Sequence, residues 1–272
     1  MKVVDKFKSW VVKNFDSKYF EIFGNKYIYL TKIPSGSYDV ISDLFPLRIE
    51  DNWNSHFELL NLPRLINPIG DLVYSNEIEI YFFDKKGAFL NSYNTSMQDE
   101  LKTTINLKKI ANSIGIFHDG TFAVFHKNKF ENLSYSKSFI TDRGYVGYEN
   151  SKFGSIKGYV HGNFDAISKG KNLKLLGITS FYKKHYNIQY EFNPNNTYEL
   201  FWVNTSNRII KIKINRSSTS NENDYISIKP GGIKSYILKN STSSKLSITS
   251  TLNMARPVIF KYMQNSFDVF HG

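Results

Sequence analysis

The feature that most limits the fold is a series of short segments in which apolar and polar residues alternate, separated by polar turns. The clearest reads Ile-Lys-Ile-Lys-Ile from Ile210 to Ile214. Successive side chains of a β-strand point to opposite sides, so this pattern predicts a strand with one buried and one solvated face. We therefore expect Ile210, Ile212 and Ile214, or else the residues that alternate with them, to face a core, without burial of both Lys211 and Lys213.

The same character recurs along most of the chain. Segments typical of strands are Lys26 to Lys32, Glu77 to Phe83, Thr121 to Lys127, Tyr198 to Asn204, Tyr225 to Ile228, Ile233 to Leu238, Lys245 to Thr249 and Val258 to Tyr262. Asp84 to Gly87 is typical of a hairpin turn, and Lys108 to Ile114 of a short helix. Strands at this spacing, with few helices between them, favour a sandwich or barrel over a parallel βαβ sheet.

Two stretches of the chain resemble each other. Phe-Ala-Val-Phe-His ends at His126 and Phe-Asp-Val-Phe-His ends at His271, 145 positions later. Each follows an aromatic segment that ends in an asparagine, Asn61 and Asn204, 143 positions apart. Similarity at a long period indicates one structural unit used twice. The sequence therefore predicts a mainly β protein with two related antiparallel β-sandwich, jelly-roll-like units.

The predicted organisation has three segments and a terminal helix. Residues 1–127 form an N-terminal helix with the first sandwich unit, residues 128–195 a glycine- and aromatic-rich central β segment, and residues 196–272 the second unit. Within residues 2–15, Val3, Phe7 and Val11 recur at helical spacing, which predicts a helix capping one end of a sheet. A basic amphipathic helix could instead lie on an anionic membrane or meet a partner.

Composition excludes several classes of protein. The chain has no cysteine, which removes disulfides, thiol nucleophiles and cysteine-based metal sites. No apolar run reaches the roughly 18–20 residues of a membrane span, and no secretory signal is visible at the N-terminus. We expect a soluble, cytoplasmic protein, with a surface-associated role left open.

The net charge of +11 is unevenly distributed. Residues 101–190 carry 14 basic and five acidic side chains, a net charge of +9. Such a segment could attract acidic polymers, although scattered lysines are more often a solvated face.

Familiar catalytic and cofactor motifs are absent from the sequence. It contains no P-loop, no Gly-x-Gly-x-x-Gly, no Gly-x-Ser-x-Gly and no His-Glu-x-x-His. A cupin-type His-x-His is missing as well. We predict no cofactor and no metal, and the balance is against an enzyme.

The densest polar cluster lies in the central segment. It comprises Asp142, Arg143, Tyr145, His161 and Asn163. Together these side chains supply hydrogen-bond donors, acceptors and an aromatic ring, the mixture that a sugar requires. We predict that they form a ligand-binding site, while a purely structural hairpin is the alternative.

The favoured function is therefore a non-catalytic binding or structural protein that recognises carbohydrate or a polyanionic surface polymer. One alternative is an enzyme acting on a sugar or related small molecule, with His161, Asp142 and either His126 or His271 in a cleft between the units. Another is an assembly protein of a particle or surface layer. Whether the chain forms a homo-oligomer is left open.

Overall fold

The protein is mainly β in the computed structural model, and strands far outnumber helices among the residues that the structure describes. The structure describes residues 26–28, 40–42, 44–61, 65, 73–97, 100–131, 144–154, 157–162, 166–169, 172–206, 208–216, 224–239, 245–252 and 255–272. The predicted N-terminal helix lies outside these residues. The mainly β class is confirmed.

Nineteen strands are present within the described residues. They are β1 (Lys26–Ile28), β2 (Val40–Ser42), β3 (Leu44–Leu47), β4 (Trp53–Leu60), β5 (Val73–Asp84), β6 (Phe89–Met97), β7 (Lys102–Asn106), β8 (Gly120–Glu131), β9 (Tyr145–Asn150), β10 (Lys157–His161), β11 (Ala166–Lys169), β12 (Asn172–Asn187), β13 (Thr197–Val203), β14 (Ile210–Arg216), β15 (Asp224–Ile228), β16 (Ile233–Leu238), β17 (Leu246–Leu252), β18 (Val258–Tyr262) and β19 (Phe267–His271). A short helix, α1 (Leu107–Ser113), follows β7, and a 3-10 turn, Ser151–Phe153, follows β9.

Local chemistry accounts for the helix and for one of the tight turns. The Asn106 side chain accepts a hydrogen bond from the Lys109 amide and so caps the first turn of α1. Between β5 and β6, Asp84 accepts hydrogen bonds from the amides of Lys86 and Ala88. Gly87 completes that turn at φ 85°, a conformation that favours glycine. Both the short helix and the hairpin turn were predicted.

The strands form four antiparallel sheets, arranged as the blades of a four-bladed β-propeller. Blade 1 has the order β3-β8-β5-β6, and blade 2 has the order β10-β9-β4-β7. Blade 3 is β15-β14-β17-β12-β11-β2, with β1 also paired to β12, and blade 4 is β16-β13-β18-β19. The prediction of two β-sandwich units was therefore wrong.

Strand order repeats between the two halves of the chain. Adding nine to each strand number of blade 1 gives β12-β17-β14-β15, the order found in blade 3. The same shift turns blade 2 into β19-β18-β13-β16, which is blade 4. The blades are thus an internal repeat, made of two pairs with the same connectivity.

The Phe-x-Val-Phe-His segments do not mark this repeat. The first lies on β8, a central strand of blade 1, whose counterpart is β17. The second lies on β19, an edge strand of blade 4, whose counterpart is β10. The aromatic segments that end in Asn61 and Asn204 do correspond. They lie on the equivalent strands β4 and β13, and each asparagine is the first residue after its strand.

Blade 4 explains why the first two blades are not an independent sandwich. Their core is closed by side chains of blade 4, and the Trp53 ring meets the Phe260 and Phe267 rings at centroid distances of 5.3 and 5.1 Å. The opposite side of blade 4 packs on blade 3, where Trp202 and Ile212 are buried. A sheet that buries both faces joins the two halves into one packed body.

Strand pairing also crosses the boundaries predicted for the three segments. The strands β9 and β10 of the central segment pair with each other and with β4 in blade 2. The N-terminal strands β1 and β2 belong to blade 3, which otherwise comes from the second half of the chain.

Candidate functional site

Blade 2 presents an aromatic and polar side to solvent. In the strand register, Tyr145 lies between His161 on β10 and Glu58 on β4. Two residues further along, Tyr159 faces Gly147. Residues two apart on a strand share a face, so these five residues form one surface, called here the tyrosine face.

The other side of blade 2 is buried. Phe57, Val146 and Tyr148 are fully buried in the core, and 5% of the surface of Val160 is exposed. Tyr148 donates a hydrogen bond to the Pro46 carbonyl at 2.8 Å. This packing holds one side of blade 2 against the core and leaves the other side facing solvent.

Tyr159 lies across the strand beside it. A Cβ atom placed on Gly147 would come within 2.6 Å of Cε1 of the Tyr159 ring, so the ring occupies the space above the glycine. The Tyr159 hydroxyl reaches over β9 and donates to Oε1 of Glu58 on β4 at 2.9 Å. The ring is held at both ends, yet 42% of Tyr159 remains exposed.

The surroundings of Glu58 and Tyr159 determine which of the two carries the proton of their hydrogen bond. Burial would raise the pKa of Glu58, but hydrogen bonds from Lys102 and Tyr159 outweigh it and hold the pKa below its usual range. Burial, together with the hydrogen bond to Glu58, raises the pKa of Tyr159 to about 12. At neutral pH a phenol therefore donates to an ionised carboxylate, a charge-assisted hydrogen bond.

Two of the five predicted site residues meet on this face. Tyr145, which is 42% exposed, and His161 are direct cross-strand partners. His161 Nδ1 lies 2.9 Å from the Gly162 carbonyl. The remaining predicted residues, Asp142, Arg143 and Asn163, lie outside the described residues, and their part in the site stays a prediction.

His161 also contacts the fourth blade. Its ring centroid lies 4.8 Å from that of His271, and His271 Nε2 donates to the His161 carbonyl at 2.8 Å. The cavity beside them has a volume of about 10 Å³, and Arg256 also lines it. That is room for about one water molecule, far too little for a substrate.

No metal centre is evident in the parts of the chain that the structure describes, where no three histidine, aspartate or glutamate residues group to hold an ion. Larger cavities of about 570 Å³ lie elsewhere. One is lined by residues such as Asn215, Arg216 and Ser247, and the other by residues such as Glu50 and Lys108. The described lining of neither contains a predicted site residue.

The sequence analysis did not single out Glu58, Gly147 or Tyr159, although Tyr159 lies in the central segment that it described as aromatic-rich. A signal was present for Tyr159, since Gly-Tyr-Val occurs at 144–146 and again at 158–160. In both copies the valine is buried and the tyrosine exposed. Glu58 had no such signal, because only strand pairing brings it next to residues 87 or more positions later.

In comparison with known proteins, no family model matches the chain and no curated protein matches its sequence. Among the described residues, no helix is long and apolar enough to cross a membrane.

Proposed function

We propose that this chain is a non-catalytic binding protein that recognises carbohydrate through the tyrosine face. The observation that carries the proposal is the Tyr159 ring, which lies across Gly147 and is hydrogen-bonded to Glu58 while 42% of the residue stays exposed. An aromatic ring fixed in this way can stack on the apolar side of a sugar and loses little conformational freedom on doing so.

The surroundings of the ring support a sugar ligand. Tyr145 is the diagonal cross-strand neighbour of Tyr159, so a second exposed ring lies on the same surface. Glu58 supplies acceptor oxygens, and His161 supplies an imidazole at the edge. Stacking surface and hydrogen-bonding groups therefore lie side by side.

The enzyme alternative has less support. His161 and His271 do meet, as that reading required, but the space between them does not admit a substrate. The side chain of His126 and all of Asp142 lie outside the described residues. The assembly alternative stays a prediction that sizing chromatography would test.

Tyr159→Ala tests the proposal most simply. The purified chain is screened against an array of neutral and acidic glycans, and the affinity for the best one is measured by titration calorimetry. We expect Tyr159→Ala to lower that affinity about tenfold or more, because a stacking contact is lost.

The matched control is Tyr225→Ala. Tyr225 is 63% exposed but lies on blade 3, so its loss should leave the affinity unchanged. Both variants should remain folded, as thermal unfolding would show, although Tyr159→Ala also loses the hydrogen bond to Glu58. A parent chain that binds no glycan, or a Tyr159→Ala variant that binds as the parent does, would overturn the proposal.

A further inference from the structure

The tyrosine face carries a carboxylate directly beside its stacking ring. The Tyr159 ring lies over β9, Glu58 follows on β4, and Lys102 follows on β7. Glu58 Oε1 lies 2.9 Å from the Tyr159 hydroxyl, while Oε2 lies 2.7 Å from Lys102 Nζ. The lysine is therefore on the far side of the carboxylate from the ring, and a ligand on the ring meets the negative charge first.

Glu58 keeps acceptor capacity for such a ligand. A carboxylate offers about four lone-pair positions. The described donors are Tyr159, Lys102 and, at 3.5 Å, Thr104, which leaves about one position free. The Glu58 side chain is 13% exposed, so part of it is open to solvent.

Carboxylates lie beside both described lysines of this face. Lys102 pairs with Glu58, and Lys157 stands opposite Glu149 in the register of β9 and β10. Glu149 Oε2 itself lies 2.9 Å from His56 Nε2. The described part of the face thus carries as many carboxylates as ammonium groups. The net charge of +11 that the whole chain carries is not concentrated at this site.

From this arrangement we infer that Glu58 makes the tyrosine face selective for neutral, hydroxyl-rich sugars and against acidic ones. The inference rests on the proposed function. A neutral sugar stacked on Tyr159 donates a hydroxyl hydrogen to the free position of the carboxylate. A uronic or sulfated sugar brings an anion to the same place, where it meets like charge and loses that hydrogen bond.

This selectivity argues against the polyanionic polymer that the sequence suggested as one possible ligand. A polyanionic polymer requires several unopposed cations, and its affinity falls steeply as salt rises. Binding at the tyrosine face should instead be nearly independent of salt, because stacking and hydrogen bonding to a neutral partner release no counterions.

The test compares a neutral ligand with its acidic counterpart of the same sugar backbone. They are the neutral oligosaccharide that binds best and its counterpart in which the hydroxymethyl groups are oxidised to carboxylates. Titration calorimetry at low and high salt gives the affinity ratio for the parent chain and for Glu58→Gln, which keeps the shape of the side chain and removes its charge.

We expect the parent to prefer the neutral ligand and Glu58→Gln to narrow that preference by about threefold or more, since a like charge several ångströms away is removed. Glu191→Gln is the charge-matched control, because Glu191 is exposed and lines a different cavity. It should leave the ratio unchanged. Unfolding temperatures confirm that both variants are folded.

The possible failures are distinguishable. If the parent binds both ligands equally or prefers the acidic one, the inference is wrong while the proposed function stands. An unchanged ratio in Glu58→Gln, or equal loss of both ligands, also overturns it. If neither ligand binds the parent chain, the proposed function itself fails.

Discussion

Arg48 is a buried cation surrounded by aromatic rings from three strands. Its guanidinium carbon lies 3.9 Å from the ring centroid of Trp53, 4.8 Å from that of Phe201 and 4.6 Å from that of Phe260. The faces of these rings attract the cation. Because Trp53 belongs to blade 2 and the two phenylalanines to blade 4, a single side chain links the halves of the molecule.

The charge of Arg48 is balanced by Glu199. The carboxylate lies 3.0 Å from Nη1, and the Tyr262 hydroxyl accepts from the same nitrogen at 2.9 Å. Tyr262 in turn donates to Glu199 at 2.7 Å. Burial raises the pKa of Tyr262, so it remains a neutral donor. Removal of either ion would leave the other uncompensated in the interior.

We expect Arg48→Ala to lower the free energy of unfolding by about 3–5 kcal/mol, because Glu199 keeps its charge and loses its partner. The control is Arg208→Ala, since the Arg208 side chain is exposed, and its effect should stay within about 0.5 kcal/mol. Urea denaturation measures both. If Arg48→Ala were as stable as the parent, the Arg48–Glu199 ion pair would make no net contribution to the free energy of unfolding.

At the level of single elements, strands with one wet face were predictable. In β14, Ile210, Ile212 and Ile214 have 1%, 0% and 0% of their surface exposed, while Lys211 is exposed and Lys213 half-buried. The predicted phase of this strand is confirmed. Alternation alone was sufficient here, because one side of β14 faces the core and the other faces water.

The strand β13 shows where alternation loses its meaning. Leu200 and Trp202 pack toward blade 3, while Phe201 and Val203 pack toward blades 1 and 2. A strand that buries both sides reads as a continuous apolar run, which does not tell which neighbour each side meets. The sandwich prediction failed at this element, since it assumed one buried side per sheet.

The candidate site was predictable only in part, and for a similar reason. Tyr145 and His161 lie on neighbouring hairpin strands, so proximity in sequence brought them together. Glu58 and Arg48 contact partners that are more than 100 positions away in the sequence, and no local sequence pattern at either residue predicts these contacts. Strand order, which decides such contacts, is not encoded in periodicity.

At the scale of the whole molecule, blades 2 and 4 meet along β10 and β19. A Cβ atom on Gly158 would come within 2.7 Å of the Val269 side chain, so the strands approach closely. The joint ends at His161 and His271, whose rings are in contact. Any group that changes charge at this joint should affect how firmly the halves hold together.

His271 is such a group. Burial, aided by the nearby Arg256 guanidinium and His161 imidazole, lowers its pKa to about 4, although the hydrogen bond to the His161 carbonyl acts in the other direction. The unfolded chain, with a histidine pKa of about 6.5, binds this proton at higher pH than the folded chain does. The contribution of neutral His271 to the free energy of unfolding is therefore complete above about pH 6.5 and is lost as the pH falls toward 4.

We expect the free energy of unfolding to fall by up to about 3 kcal/mol over that interval through His271 alone. Urea denaturation at several pH values should show a flatter dependence for His271→Gln than for the parent. His118→Gln is the control, because the side chain of His118 is 84% exposed. A pH dependence that His271→Gln leaves unaltered would contradict the assignment.

The most direct test of the central claim, that the tyrosine face binds a neutral sugar, is nuclear magnetic resonance mapping of the isotope-labelled chain during titration with the best neutral oligosaccharide. We predict amide shifts concentrated on β9 and β10, with Gly147 among the largest, and shifts of the Tyr145 and Tyr159 ring signals. The amides of β14 and β15 on blade 3 should stay in place. Shifts that leave Gly147 and Tyr159 unmoved and gather elsewhere, for example around Arg216, would contradict the account.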